Sequence, residues 1–150
     1  MLEMVIRPAG PSEKAALEEL QRRASLSNPG DRQALLDHPE AIAIPAAQLE
    51  TGCVFVAERN GARVGFAAVV RRDDGDAELD ALFVEPDEWK SGIGRALVDH
   101  CAEVARAGGA SILHVVGNPH ANGFYLACGF APTGTVETRF GVGHSMERRL

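Results

Sequence analysis

Gly92-Ile93-Gly94 stands where a strand-like run, Ala77 to Val84, has ended and helical spacing begins. Glycines at such a junction let the backbone approach a ligand, and the first amides of a helix have no partner inside it. Those amides favour an anion, above all a phosphate or pyrophosphate. The same glycines also suit a plain tight turn, and the spacing is neither GxGxxG nor a Walker A loop. Just upstream, Glu78 and Asp80 lie two apart on the strand. Strict alternation puts both on one face with Leu82 and leaves Leu79, Ala81 and Phe83 on the other. Paired carboxylates there can take a proton from an amine or simply face solvent.

Other chemistries find no support. The three cysteines, Cys53, Cys101 and Cys128, are odd in number and form no CxxC pair. The five histidines (His38, His100, His114, His120 and His144) form no HExxH pair, and GxSxG is absent. We therefore expect neither a metal centre nor a nucleophile elbow. Fifteen Lys+Arg against twenty-one Asp+Glu give a formal charge of −6, the wrong sign for a nucleic-acid binder and a favourable one for a small cationic substrate. Apolar runs such as Val64 to Val70 fall far short of the ~20 residues that cross a bilayer. Met1-Leu2-Glu3-Met4 lacks the basic stretch and apolar run of a secretory signal, so a cytoplasmic protein without membrane contact is expected.

The elements that must position these residues are read from periodicity. Met4 to Arg7 is a short strand, and Ser12 precedes a helix with Ala16, Leu17, Leu20 and Ala24 on one face. From Asn28 to Gly52 the chain is broken by prolines into short helical pieces around Asp31 to Asp37 and Pro45 to Glu50, an irregular cover. Strands Cys53 to Arg59 and Arg63 to Val70 flank Asn60-Gly61, the dipeptide best suited to a tight hairpin turn. A charged turn leads to the strand Ala77 to Val84, stopped by Pro86. Ile93, Leu97, Cys101 and Val104 recur at helical spacing up to Gly108-Gly109, and Ile112 to Val116 is a buried strand. Leu97, Val104, Ile112 and Val115 read as core. Asn118 to Cys128 suits a helix, and two last strands fall near Thr135 to Phe140 and His144 to Arg149. The central strand–helix–strand unit implies one parallel pairing, with a right-handed crossover, in an otherwise antiparallel sheet. A chain of 150 residues with this order suits a single α/β (α+β) domain, a mixed and mostly antiparallel sheet with helices on both faces.

Val84-Glu85-Pro86, Gly92-Ile93-Gly94 and the run Asn118-Pro119-His120-Ala121-Asn122-Gly123-Phe124-Tyr125-Leu126-Ala127-Cys128-Gly129-Phe130 follow one another in an order and separation that resembles the GCN5-related N-acetyltransferase (GNAT) family. The resemblance covers residues 53 to 150 well and the first 52 only in outline. Trp89 departs from it, standing where the family has Arg or Gln. The resemblance implies that acetyl-CoA is the cosubstrate. Its pyrophosphate would lie on the backbone of Trp89, Lys90, Ser91, Gly92, Ile93, Gly94 and Arg95, with Lys90, Ser91 and Arg95 offering side chains. Its pantetheine arm would run between two diverging strands, along free backbone groups of Leu82, Phe83 and Val84. Asn118 would cap the helix that follows it, bond the pantetheine, or do both.

Direct acetylation of an amine needs a base, because an ammonium of pKa ~10 is no nucleophile, and an acid for the departing thiolate. The family pattern puts the acid at Tyr125, the only tyrosine of the chain, whose phenol stays protonated at neutral pH. For the base, Glu78 ranks first and Asp80 second. The implied partner is a small-molecule or peptide amine, shaped by residues 12 to 52 and 135 to 145, and a homodimer is a candidate assembly. Two other readings stay open: a non-catalytic acyl-CoA-binding module, and a nucleotide-binding domain that uses the Gly92 turn.

Overall fold

Asn60 and Gly61 take φ of 54° and 79° and turn β2 (Val54–Arg59) back into β3 (Ala62–Arg71), the hairpin that the dipeptide predicts. The computed structural model describes residues 4–139 and 141–150. Around this hairpin lie β1 (Met4–Pro8), β4 (Ala77–Val84), β5 (Ile112–Gly117), β6 (Ala131–Thr138) and β7 (Gly141–Arg149). They form one open sheet in the order β1-β2-β3-β4-β5-β7-β6, antiparallel throughout except for β4 beside β5. The last two strands are longer than their pattern suggests, and Phe140, expected at the end of one, lies outside the described residues.

Five helices accompany the sheet among the described residues: α1 (Lys14–Ser27), α2 (Pro29–Asp37), α3 (Ala46–Glu50), α4 (Ile93–Ala107) and α5 (Asn122–Ala127). Asn28 caps α2 by accepting from the Gly30 amide, which fixes where the cover segment begins. The helix expected from Asn118 is divided into a 3-10 turn, Pro119–Ala121, and α5.

Both faces of the central strands are buried, which is why β2 and β3 read as nearly continuous apolar runs. Val54, Val56, Phe66 and Ala68 meet Leu17 and Leu20 of α1 on one face. Phe55, Ala57, Ala67 and Val69 meet Leu97, Val98 and Cys101 of α4 on the other. Val115 is core, as expected, whereas Ile112 is only half-buried and Val104 is 37% exposed. Val104 lies in the last turn of α4, beside the edge of the apolar stripe.

One irregularity bears directly on the site. Ala68 pairs with Ala81 and Val69 with Leu79, so Asp80 is an extra residue on β4, a β-bulge. Leu79 and Leu82 therefore share the α4 face, and Ala81 and Phe83 share the α1 face. The strict alternation read from sequence, with Leu82 beside Glu78 and Asp80, ends at this bulge.

The N-terminal strand is tied down by Glu13, which is only 7% exposed. Its two oxygens accept from Arg7 at 2.8 and 2.9 Å, from Arg63 Nε at 2.8 Å and from the Gly10 amide at 2.9 Å. The Arg7 bonds hold its carboxyl down at about 2, below the ordinary 4.5. A carboxyl depressed on folding adds stability that is complete above pH 4.5 and is lost as the pH falls toward 2. Glu13→Gln is expected to lower stability at neutral pH by about 1–3 kcal/mol in urea unfolding. Its deficit relative to the parent should close in acid; a deficit that persists unchanged at pH 2 would contradict this role.

Candidate active site

β4 and β5 share only two registered pairs, Ala77 with Leu113 and Glu78 with His114. Beyond Glu78, β4 keeps its partner β3 while β5 continues along β7. A cleft of about 1000 Å³ opens where the two strands part. Its lining includes Ala24 and Leu35 from one face of the sheet and Gly94 and Phe124 from the other, so it passes through the sheet.

The splay frees backbone groups, though fewer than the sequence suggests. Glu85 N–H donates to Val64 O at 2.9 Å, and alternation then turns the polar groups of Leu82 and Val84 away from β3 into the cleft. Phe83, opposite Phe66, gives its N–H and C=O to β3 and contributes only its ring to the wall. Val84 O is also taken: the Trp89 indole Nε1–H donates to it at 2.9 Å. Trp89 thus closes the end of the splayed edge, a use unlike that of the Arg or Gln expected there.

The loop ahead of α4 curls because Lys90 and Gly92 both adopt left-handed backbone, with φ of 67° and 88°. Ser91 Oγ donates to Glu88 O and braces the loop. The first intrahelical bond runs from Ala96 N to Gly92 O, so the amides of Ile93, Gly94 and Arg95 lack helical partners. The Ile93 side chain is in the core, leaving its amide for a ligand. Lys90 and Arg95 are exposed and are the two cations among the described residues that line the cleft. Bare amides, a curled backbone and two cations are chemistry that suits an anion such as a pyrophosphate.

Deeper in the cleft, Tyr125 is 8% exposed. Its ring lies against Gly117, where an added Cβ would come within 2.9 Å of Cε2, and it meets Phe124 and Phe130 edge-on at centroid distances of 5.2 and 5.5 Å. No described residue hydrogen-bonds its hydroxyl. Burial, aided by the charges of Cys128 and Asp31, pushes the phenol up to about 12. Asn118 Oδ1 caps the 3-10 turn by accepting from Ala121 N at 3.2 Å, the capping role expected of it. Its Nδ2 donates to Asp31 Oδ1 at 2.8 Å.

The two carboxylates of β4 part company. Asp80, exposed at the bulge, lines the cleft and accepts from Gln48 Nε2 at 2.9 Å. Glu78 stands at the closed end of the splay, 3.9 Å from Arg72, and is not among the lining residues. Sequence reasoning missed Asp31, a cleft residue of α2 whose carboxyl is pushed up by burial against the pull of Asn118. Its only sequence signal is its place in the first turn after the Asn28 cap. His120 lies against Gly30, and His114 bonds Asp76 at 3.1 Å. Asp74, Asp76 and His114 bring ligand-type atoms within 4.8 Å of one another, an arrangement the spacing did not suggest. Asp76 there also accepts from the Ser111 and Ile112 amides, joining the starts of β4 and β5.

Residues 15–130 match the sequence model of the acetyltransferase (GNAT) family. Two curated relatives, uncharacterized N-acetyltransferases of Mycobacterium bovis and Mycobacterium tuberculosis, are each 32% identical over 94 residues, which is 61% of this chain and 60% of theirs. The chain thus matches only about three-fifths of their length. Among solved structures, a GCN5-related N-acetyltransferase from Rhodopseudomonas palustris superposes with a TM-score of 0.80 at 24% identity, covering 97% of this chain and 95% of that one. The yncA protein of Salmonella typhimurium, solved with its cofactor acetyl-CoA, gives 0.73 at 25% identity over 99% and 94%. No described helix is long and apolar enough to cross a membrane.

Trp89 is the only tryptophan and sits on the rim of the loop, so a pyrophosphate ligand seated there is expected to change its emission. Titration with coenzyme A provides the check, and unaltered emission at a concentration where calorimetry detects binding would put the ligand elsewhere.

Proposed function

This chain belongs to the acetyltransferase (GNAT) family, and on that premise we propose that it transfers an acetyl group directly from acetyl-CoA to the amine of a small molecule or peptide. The observation that carries the reading is Tyr125: a buried phenol on the cleft wall, held protonated, with a hydroxyl that no described residue engages.

The residues of the cleft fit the cosubstrate. Its pyrophosphate rests on the amides of Ile93, Gly94 and Arg95, with Lys90 and Arg95 as counter-charges. Trp89 and Ser91 brace that loop through their bonds to Val84 O and Glu88 O, and Gly92 supplies its left-handed turn. The pantetheine arm pairs with the backbone groups of Leu82 and with the Val84 amide, taking the place of the strand that β5 fails to provide. Asn118 has one amide hydrogen to spare beside that arm. When bound, the thioester supplies the acetyl group.

Tyr125 donates its proton to the departing sulfur, a transfer that leaves no charge on the leaving group. Asp80 takes the proton that the ammonium must lose before its nitrogen can attack. Asp80 replaces Glu78 as the first choice of base, because Asp80 lines the cleft and Glu78 is held toward Arg72 at the closed end. The acceptor approaches from the side of α1, α2 and the β6–β7 hairpin, which contribute Ala24, Asp31, Thr138 and Val142 to the lining.

Tyr125→Phe keeps the packing and removes the proton; release of free thiol over a panel of amines is expected to fall roughly 10²- to 10⁴-fold, with coenzyme A affinity retained. Undiminished turnover in that variant would end the acid role, and coenzyme binding with no turnover on any amine would favour an acyl-CoA-binding module. Asp80→Asn should slow transfer at neutral pH while Glu78→Gln stays near the parent rate. The reverse order would restore Glu78 as the base.

A further inference from the structure

The charges of the cleft are unevenly placed: Glu88 of the lining is paired with Arg59 at 2.9 Å, and His120 lies close enough to Asp31 to favour its charged form. Lys90 and Arg95 belong to the segment that opens α4 on one face of the sheet. The other face, beneath α1, α2 and α3, presents Asp31 and Asp80, and no Lys or Arg of that side is among the described lining residues. Each of these carboxylates has one oxygen engaged by an amide, Asp31 by Asn118 at 2.8 Å and Asp80 by Gln48 at 2.9 Å. An amide fixes the direction of a carboxylate without neutralising it. The second oxygen of each makes no hydrogen bond to a described residue. Tyr125, 8% exposed, lines the same cavity, and its hydroxyl makes no hydrogen bond to a described residue.

Asp31 is held in place rather than left to wave on a surface helix. Gly30 is so close to the His120 ring that an added Cβ would lie 2.2 Å from Cδ2, so α2 is seated directly on the turn that begins with Asn118. The bond from Asn118 then spans 87 positions of sequence and holds the carboxylate at the cleft wall. A half-buried carboxylate oriented by a neutral donor, with a free oxygen toward a cavity, is a receptor for an ammonium group.

We infer that Asp31 is a specificity-determining residue for the acceptor, and that the acceptor is a small aliphatic amine with two cationic centres and no carboxylate, received between Asp31 and Asp80. This rests on the acetyltransferase reading for the direction from which the acceptor enters. A diamine brings a positive charge to each carboxylate. A simple monoamine leaves one unanswered, and an amino acid sets its own carboxylate against both.

The test is calorimetric and needs no turnover. 1,4-Diaminobutane, n-butylamine and glycine are titrated into the protein with and without saturating coenzyme A, alongside Asp31→Asn, whose carbonyl can still accept from Asn118. The diamine is expected to bind about tenfold or more tightly than butylamine, the scale of one charge-assisted hydrogen bond, with glycine weakest. Asp31→Asn should abolish the preference for the diamine while coenzyme A affinity is unchanged. Equal diamine affinity in parent and variant, or glycine bound as tightly as the diamine, overturns the assignment. Failure of the parent to bind coenzyme A would instead defeat the acetyltransferase reading, and the titrations without coenzyme still decide the role of Asp31.

Discussion

Two neighbouring parallel strands that are joined at only two positions set the terms for the rest of this molecule. Backbone donors and acceptors in a sheet interior must be satisfied, and β4 beyond Glu78 has a satisfied side toward β3 and an open side toward the gap. An edge exposed in the middle of a sheet invites another chain or a ligand with strand-like amides. The fold limits that invitation, because the Trp89 indole occupies the last carbonyl of the edge. What is left is a short, directional strip suited to a ligand that carries a few amides and no more.

The gap also decides what the two faces of the sheet can do. Because helices cover both faces, a channel through the sheet connects two environments that do not otherwise meet. On one side a helix begins with unpartnered amides and two cations. On the other, the bulge at Asp80 and the docking of α2 bring in negative charge. The bulge matters here for a geometric reason: with an extra residue on β4, Asp80 is placed at the wall of the opening while Leu82 returns to the α4 face. Tyr125 reaches the cleft wall because bare Gly117 leaves room for its ring against the end of β5.

How much of this could be read in the chain follows from how local each cause is. The Asn60-Gly61 hairpin, the Gly92 helix start and the parallel unit around α4 have causes confined to a few neighbouring residues, and all are found. The family resemblance, carried by motifs around residues 84, 92 and 118–130, is matched by the family model over residues 15–130. The bulge was invisible because polar and apolar residues alternate up to it and only apolar ones, which suit either face, follow it, so that only the partner strand records the slip. The Trp89 cap on Val84 and the Asn118 bond to Asp31 depend on tertiary placement, the latter over 87 positions, so no spacing rule announces them. Val104 misled for a simpler reason: it keeps helical period with the core but stands where the helix runs out past its cover.

The contact between Gly30 and the His120 ring has a further consequence, in evolutionary terms. A side chain at position 30 would have to displace the exposed His120 ring, so the seating of α2 on the turn beneath it uses a glycine there. An inherited change at that one position would shift the cover over the cleft unless the imidazole swung away.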